Sequence, residues 1–285
     1  MSDPAKADSG RPAGPPSRAV ARLEPDPAHH PADAAVRPIV GEVWDHPGPR
    51  RVPRHSHGRG QLIYPERGSV SVETDDALFV VPPHRAVWVP PAMPHAAWYP
   101  REVAFRGIFI ARDLCAGLPA RCVVVQVDPL TRELIRTAAQ TPWDYPEAGP
   151  EARLMQVLLD RLIALPASPL RLPDGKDERV RRVMQALRAN PADERALGGW
   201  AKMVHVSERT LARRFLADTG LSFTAWRQQL RVVVALERLA AGDPVTTVAL
   251  DLGYRTPGSF TTMFKKALGV PPSAYFGEAG FDDGA

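Results

Sequence analysis

The stretch Trp200–Gly242, WAKMVHVSERTLARRFLADTGLSFTAWRQQLRVVVALERLAAG, and the stretch Pro244–Phe276, PVTTVALDLGYRTPGSFTTMFKKALGVPPSAYF, decide the fold of the C-terminal part. Together they hold an internal repeat. Ser207, Leu211, Phe215, Gly220 and Leu221 recur as Thr256, Phe260, Phe264, Gly269 and Val270, each 49 residues on. In each copy a Ser or Thr is a helix N-cap, whose side-chain oxygen accepts a backbone N–H. The apolar residues one and two turns later face a core. The glycine then ends the helix as a C-cap. Before each cap lies a short helix with a small residue, Ala201 or Ala249, which lets helices approach closely. A tight turn follows at His205 or Gly253. Helix, turn and capped helix form a helix-turn-helix unit, and the chain carries two.

Between the units, Ser222–Ala241 places Phe223, Trp226, Leu230, Val233, Leu236 and Ala240 at steps of three or four. That spacing predicts one amphipathic helix, closed by Gly242 and Pro244. Its length is about 30 Å, close to one DNA turn of about 34 Å. Such a connector can set two recognition helices into successive major grooves on one DNA face. Arg227, Arg231 and Arg238 on its polar side face either phosphates or solvent. Charge supports a polyanionic partner. Residues 176–277 hold 16 Lys and Arg against 9 Asp and Glu, whereas the remainder holds 20 against 23.

The run Ala196–Tyr275 resembles the AraC/XylS family of bacterial regulators, through both units, the connecting helix and the closing GVPPSAY. The resemblance implies transcription control by one domain gripping two segments of double-stranded DNA, with RNA polymerase as a partner if the regulator activates. Matched to the family pattern, Ser207–Asp218 is the first recognition helix, with Arg209, Ala212 and Arg213 toward DNA and Leu211 and Phe215 inward. Arg is the commonest bidentate reader of guanine, which makes Arg213, then Arg209, the expected base readers. Arg214 is a further DNA-binding candidate, toward phosphate or solvent. The second recognition helix, Thr256–Leu268, presents Gly258, Ser259, Thr261 and Thr262. Many members carry Arg where Thr262 stands, so this unit is expected to grip phosphate through Lys265 and Lys266. His205 occupies a turn position often held by Gly, where a left-handed backbone is needed.

The remainder of the 285 residues reads differently. Residues 1–35 are rich in Pro, Ala, Asp and Gly and are expected to be a disordered tail. From Val36, short β-rich runs appear at Gln61–Tyr64, Ser69–Glu73, Leu78–Val81, Ala86–Val89 and Ala104–Ile110, separated by turn residues. They predict a small barrel or sandwich. Glu151–Leu165 places Leu154, Leu158, Leu162 and Leu165 on one helix face. Pro166–Gly175 reads as a linker. The expected organisation is a 36–165 sensing domain, a 166–175 linker, a 176–277 DNA-binding domain and a 278–285 tail. The fold class is α+β and multidomain: a β-barrel followed by an all-α domain with two helix-turn-helix units.

The string His55-Ser-His57-Gly-Arg-Gly-Gln61, followed by Gly68 and by Pro90-Pro-Ala-Met-Pro-His95, resembles the two motifs of the cupin superfamily. His55 and His57 lie on one face of a strand. His95, from a later strand, can complete a facial set of metal ligands. Gln61 stands where the family has Glu, Ala92 where it has Gly, and Tyr99 where Asn is usual. Three readings of the cluster stay open: a divalent metal that helps hold an effector, an effector pocket without metal, or a structural remnant. A small barrel can enclose one ligand, with His55, His57, Gln61, Tyr64, Trp88 and His95 as expected lining. Trp98 and Phe105 are further wall candidates, and Arg85 is a candidate for an anionic group. By resemblance, Glu151–Leu165 is a candidate dimer helix.

Other functions fit less well. A cupin-type enzyme needs a complete metal shell, which Gln61 interrupts, and leaves the helical third without a role. No Ser/His/Asp set, phosphate loop or paired-carboxylate motif is visible. Alkylation-repair regulators need reactive or zinc-bound cysteines, and Cys115 and Cys122 both lie outside the DNA-binding domain. Two cysteines are no disulfide framework, and the chain shows no secretory signal or membrane-length apolar run. The expectation is a cytoplasmic, non-enzymatic DNA-binding regulator controlled by a small-molecule effector, dimeric and not bound to membrane.

Overall fold

The structure, a computed structural model, describes residues 30–168 and 170–277. The N-terminal part contains β1 (Ile39–His46), β2 (Arg50–His55), β3 (Gly60–Arg67), β4 (Val70–Glu73), β5 (Ala77–Val81), β6 (Arg85–Val89), β7 (His95–Tyr99), β8 (Val103–Ile110) and β9 (Val123–Gln126). Two short strands, β10 (Ala167–Ser168) and β11 (Arg171–Pro173), follow the helices α1 (Pro129–Gln140) and α2 (Pro150–Ala164). The strands form two antiparallel sheets, in the orders β1-β8-β3-β6-β9-β10 and β11-β5-β4-β7-β2. They face each other as a jelly-roll-like barrel.

Side-chain alternation divides the first sheet into two faces. Ile63, Val87, Val89, Val103 and Phe105 point inward, into a cluster with Val72, Phe79, Ala97 and Tyr99 of the second sheet. Leu62, Tyr64, Trp88, Ile108 and Ile110 point outward and are covered by Ile135, Ala138, Leu158 and Leu162 of α1 and α2. Helix α2 starts on Pro150, a position that needs no N–H. Helix α1 is capped by Asp128, whose side chain accepts the Thr131 N–H.

Two expected boundaries are corrected. The 1–35 tail was placed too long: Pro31–Ala34 forms a helical turn, and Ala32 is buried against Val40 and Phe109. The Asp33 carboxylate accepts N–H groups of Gly58 and Arg59 at 2.9 and 3.1 Å. The Arg59 guanidinium in turn donates to the carbonyls of Arg37 and Pro38, both at 2.9 Å. Residues 1–29 and the expected 278–285 tail lie outside the described residues. The expected 166–175 linker is also no free tether. Strand β10 pairs with β9, and β11 pairs with β5 through Arg171↔Phe79, Leu172↔Leu78 and Pro173↔Ala77.

The C-terminal domain comprises α3 (Glu178–Ala189), α4 (Leu197–Met203), α5 (Glu208–Thr219), α6 (Phe223–Ala240), α7 (Val245–Asp251), α8 (Pro257–Leu268) and α9 (Pro272–Gly277). The first unit closes over Trp200, Leu211, Phe215 and Trp226, the second over Val248, Ala249, Phe260 and Phe264. Helix α6 also packs on the barrel: Val232, Ala235, Leu236 and Leu239 belong to one continuous buried cluster with barrel residues. Trp226 Nε1 donates to the Pro173 carbonyl at 2.7 Å across this seam.

Candidate effector pocket and nucleic-acid interface

The repeat in the sequence builds two recognition helices by the same local physics. Ser207 and Thr256 cap α5 and α8, each side-chain oxygen accepting an N–H three residues on at 3.2 Å. Gly220 and Gly269 end them in the left-handed region, at φ 72° and 86°. The turns before the caps are left-handed too, at His205 (φ 55°) and Gly253 (φ 81°). His205 therefore adopts the conformation its position demands, at a steric cost that Gly253 does not carry.

Arg209 and Arg213 are exposed on α5, with Ala212 half-buried between them. No ion pair restrains either arginine among the described residues. Arg214 differs: its Nη1 lies 2.6 Å from Oδ2 of Asp177, the N-cap of α3. That contact gives it a partner within the protein, which Arg209 and Arg213 lack among the described residues. On α8, Gly258, Ser259, Thr262, Lys265 and Lys266 are exposed and Thr261 is half-buried. The Ser259 hydroxyl donates to the Thr256 carbonyl at 2.7 Å, and the Thr262 hydroxyl to the Gly258 carbonyl at 3.0 Å. Both hydroxyls are thus spent on the helix backbone, which leaves the two lysines as free donors. Arg255, exposed just before the second cap, is a cation the sequence reading missed. A basic residue flanking a cap is the signal that was available.

In the barrel, His55 ends β2, His57 lies in the loop after it and not on the same strand as expected, Gln61 is on β3 and His95 opens β7, and the fold brings the four together. The three His side chains offer ligand atoms within 4.8 Å of one another. Ring centroids are 4.3 Å apart for His55–His95 and 5.2 Å for His57–His95. Each Nδ1 faces a carbonyl: His55 that of Pro53 at 2.9 Å, His57 that of Arg59 at 2.6 Å, His95 that of Met93 at 2.9 Å. A carbonyl only accepts, so each Nδ1 that faces one carries the proton, and the Nε2 of His95 presents a lone pair. Nε2 of His95 is buried without a hydrogen-bond partner. Nε2 of His57 lies 3.1 Å from the Gln61 amide, which satisfies it when the amide nitrogen is turned toward the ring. Burial, then the neighbouring His55, holds the His95 pKa down at about 3, so this imidazole is neutral. Burial lowers His55 as well.

Fixing Nδ1 on a carbonyl and aiming neutral Nε2 inward is how proteins orient metal-bound imidazoles. The buried, unpartnered His95 Nε2 fits such a group. His55, His57 and His95 would hold it, with the Gln61 amide as a weak neutral neighbour. A divalent ion there would supply a Lewis-acidic anchor for an anionic or lone-pair-bearing ligand.

Two expected pocket residues are corrected. Tyr64 and Trp88 belong to the outer face of the first sheet, packed under α1 and α2, and Trp88 Nε1 donates to the Pro119 carbonyl at 2.8 Å. A strand's period of two puts Leu62 and Tyr64 opposite to Gln61. Of the further candidates, Phe105 does face the interior. Trp98 lies under the Arg51 guanidinium, and Arg85 lies over the Tyr275 ring of the C-terminal domain. The sequence reading missed His30, Glu42, Trp44 and Phe109. His30 stacks on Phe109 at 4.3 Å and stands 5.9 Å from His57.

A ligand-accepting barrel docked on two helix-turn-helix units defines a DNA-binding transcription regulator with an N-terminal ligand-binding domain. Residues 38–189 match the AraC-like ligand binding domain, and residues 200–278 match a helix-turn-helix domain family. The chain belongs to the AraC family of regulators. It is 38% identical over 223 residues to the HTH-type transcriptional regulator NimR of Escherichia coli, covering 78% of this chain and 81% of that one. It is 30% identical over 170 residues to the HTH-type transcriptional activator RhaR of Pectobacterium atrosepticum, covering 58% and 56%. Among solved structures, fatty-acid-bound ToxT of Vibrio cholerae aligns over 83% of this chain and 94% of its own, with a TM-score of 0.35 and 10% identity. No helix among the described residues is long and apolar enough to cross a membrane.

Proposed function

We propose that this regulator binds its effector inside the barrel, on a divalent metal held by His55, His57 and His95, and reads DNA through Arg209 and Arg213. The observation that carries the effector reading is the shared orientation of the three imidazoles. All have Nδ1 engaged by a backbone carbonyl, and their ligand atoms lie within 4.8 Å of one another. A merely structural cluster would satisfy its polar atoms internally, yet His95 Nε2 has no partner.

On the DNA side, Arg209, Ala212 and Arg213 form the base-reading face. Lys265 and Lys266 hold phosphates beside Gly258, Ser259, Thr261 and Thr262. Val157 and Ile163 are exposed on α2, which supports a homodimer through that helix. RhaR is named an activator, and an activating role here would add RNA polymerase as a partner. The site of action is the cytoplasm, where bacterial DNA is. The three-His site serves to bind a ligand, not to turn one over.

The test is elemental analysis of untagged full-length protein, together with operator binding across a salt series. The expected result is close to one equivalent of transition metal, lost in the His57→Ala/His95→Ala double variant, with operator affinity falling steeply as salt rises. Equal metal content in wild type and double variant would overturn the metal assignment.

A further inference from the structure

The barrel holds a second polar group facing the same interior. Glu42 lies on β1, paired with Gly107 of β8. Its neighbours two residues away, Val40 and Trp44, both pack inward, Val40 against Phe109 and Trp44 against Tyr99 and Phe105. The carboxyl lies across Gly107, where any Cβ would come within 2.9 Å of Glu42 Cγ and 3.0 Å of Oε1. Gly107 is thus the gap between inward-facing Phe105 and Phe109 that admits the side chain.

Among the described residues no hydrogen bond reaches this carboxyl. The basic group nearest to it in the structure is His30, with Nε2 4.0 Å from Oε2, too far for a hydrogen bond. His30 Nδ1 accepts the Ala32 N–H at 3.2 Å, so its proton sits on Nε2, facing the carboxyl. Glu42 is half-buried, with 30% of its side chain accessible. Burial pushes its pKa up to about 7, and no cation offsets that shift. A half-buried carboxyl with no hydrogen bond in the protein keeps its acceptor capacity for a ligand. His30 links this carboxyl to the three-His cluster: its Nε2 is 4.0 Å from Glu42 Oε2 and its ring centroid 5.9 Å from that of His57. The imidazoles offer lone pairs, and Glu42 is the acidic group among these inward-facing residues.

We propose that Glu42 is the second anchor of the effector pocket, and that the effector is a small bifunctional molecule. One end is a carboxylate or similar lone-pair donor, which would bind a divalent ion held by His55, His57 and His95. The other is an ammonium or strongly polarised N–H received by Glu42, with a short apolar spacer along Trp44, Tyr99, Phe105 and Phe109. This inference rests on reading the barrel interior as the effector pocket.

The probes are ω-amino carboxylates from glycine to 6-aminohexanoate and the matching n-alkanoates. They are titrated calorimetrically into full-length protein loaded with cobalt(II), whose visible spectrum reports loading and ligand exchange. At one chain length the amino carboxylate should bind roughly tenfold or more tightly than the alkanoate, the worth of one charge-assisted hydrogen bond. Glu42→Gln should abolish that preference and leave alkanoate affinity unchanged. If no length shows a preference, or if Glu42→Gln keeps it, the proposal is overturned. If cobalt does not load, the metal reading fails separately, and the Glu42 anchor is tested on metal-free protein with methyl- to butylammonium. Stabilisation of wild type but not of Glu42→Gln in thermal melts supports the anchor, and equal response overturns it. Glu42→Gln is nearly isosteric. Gly107→Ala, which crowds the carboxyl, is a second variant expected to lose the preference.

Discussion

Arg214 on α5 is joined to Asp177 by an ion pair of 2.6 Å, and that same aspartate caps α3 through the Arg179 N–H. One turn on, Asp218 Oδ2 accepts the N–H groups of Lys176 and Asp177 at 2.9 and 2.8 Å. The first recognition helix is therefore fastened at its C-terminal half to the strand-to-helix junction that leaves the barrel. Adjacent arginines on α5 thus have opposite roles. Arg213→Ala should cost on the order of 1–3 kcal/mol at the specific operator and relax preference at one base pair. Arg214→Ala should leave base preference intact and lower folding stability by no more than about 1 kcal/mol, because the pair is partly solvated. Competition binding against single-base operator variants separates the two. A change in base preference in Arg214→Ala would reverse the assignment.

Lys265 and Lys266 lie in the last turn of α8, exposed, while the Ser259 and Thr262 hydroxyls are engaged by their own helix. Lys265→Ala should weaken specific and random DNA alike and reduce the salt slope by about 1. A loss confined to the specific operator would make Lys265 a base reader instead.

The left-handed His205 offers a stability test. At φ 55° it occupies the turn that Gly253 fills in the second unit, and the conformation costs an L-residue about 1–2 kcal/mol. His205→Gly removes that strain but adds unfolded-state freedom worth about 0.4–1 kcal/mol, so a net gain of up to about 1.6 kcal/mol is expected in urea melts. His205→Val, β-branched, should lose at least as much. Two variants of equal stability would mean that the turn relaxes freely.

The DNA-binding half was legible because each of its features is local. Caps, terminal glycines and periodic apolar residues all lie within one repeat, and every one falls where expected. The connecting helix Phe223–Ala240 is shorter than the Ser222–Ala241 reading only by its two cap residues. In the barrel, the five expected runs fall on β3, β4, β5, β6 and β8. Two of the missed strands, β1 and β2, break the pattern for physical reasons. Strand β2 is an edge strand with three arginines and a proline, the composition that protects an exposed edge. Strand β1 carries Gly41 and the interior Glu42. The His motif located the site, but its other walls come from β1 and β8 and from residue 30. Tyr64 and Trp88 were misassigned because a buried strand is apolar on both faces, and sequence alone does not say which face is the cavity.

The Glu42 carboxyl also gives a pH signature. Its folded pKa, about 7, lies above the ordinary 4.5. The folded state therefore holds a proton that the unfolded chain releases as pH rises above 4.5. The stability contributed by the protonated form is fully present below that pH and is lost as pH rises through 7. Glu42→Gln should raise the melting temperature at pH 8 clearly more than at pH 5. An equal shift at both values would mean that the carboxyl is solvated like a surface group.

The seam between the domains depends on one buried hydrogen bond more than on surface charge. Trp226 Nε1 reaches the Pro173 carbonyl at 2.7 Å, with its ring set edge-on to Phe215 of the recognition helix. Trp226→Phe keeps most of the ring packing but leaves that carbonyl without its donor, at a cost of about 1–3 kcal/mol. Arg101 and Asp243 also bridge the domains, at 3.4 Å, but the arginine side chain is 61% exposed. Arg101→Ala should therefore shift stability by well under about 1 kcal/mol. Urea denaturation of the full-length variants compares them directly. Similar losses would show that the charged rim, and not the Trp226–Pro173 hydrogen bond, carries the docking of the DNA-binding helices onto the barrel.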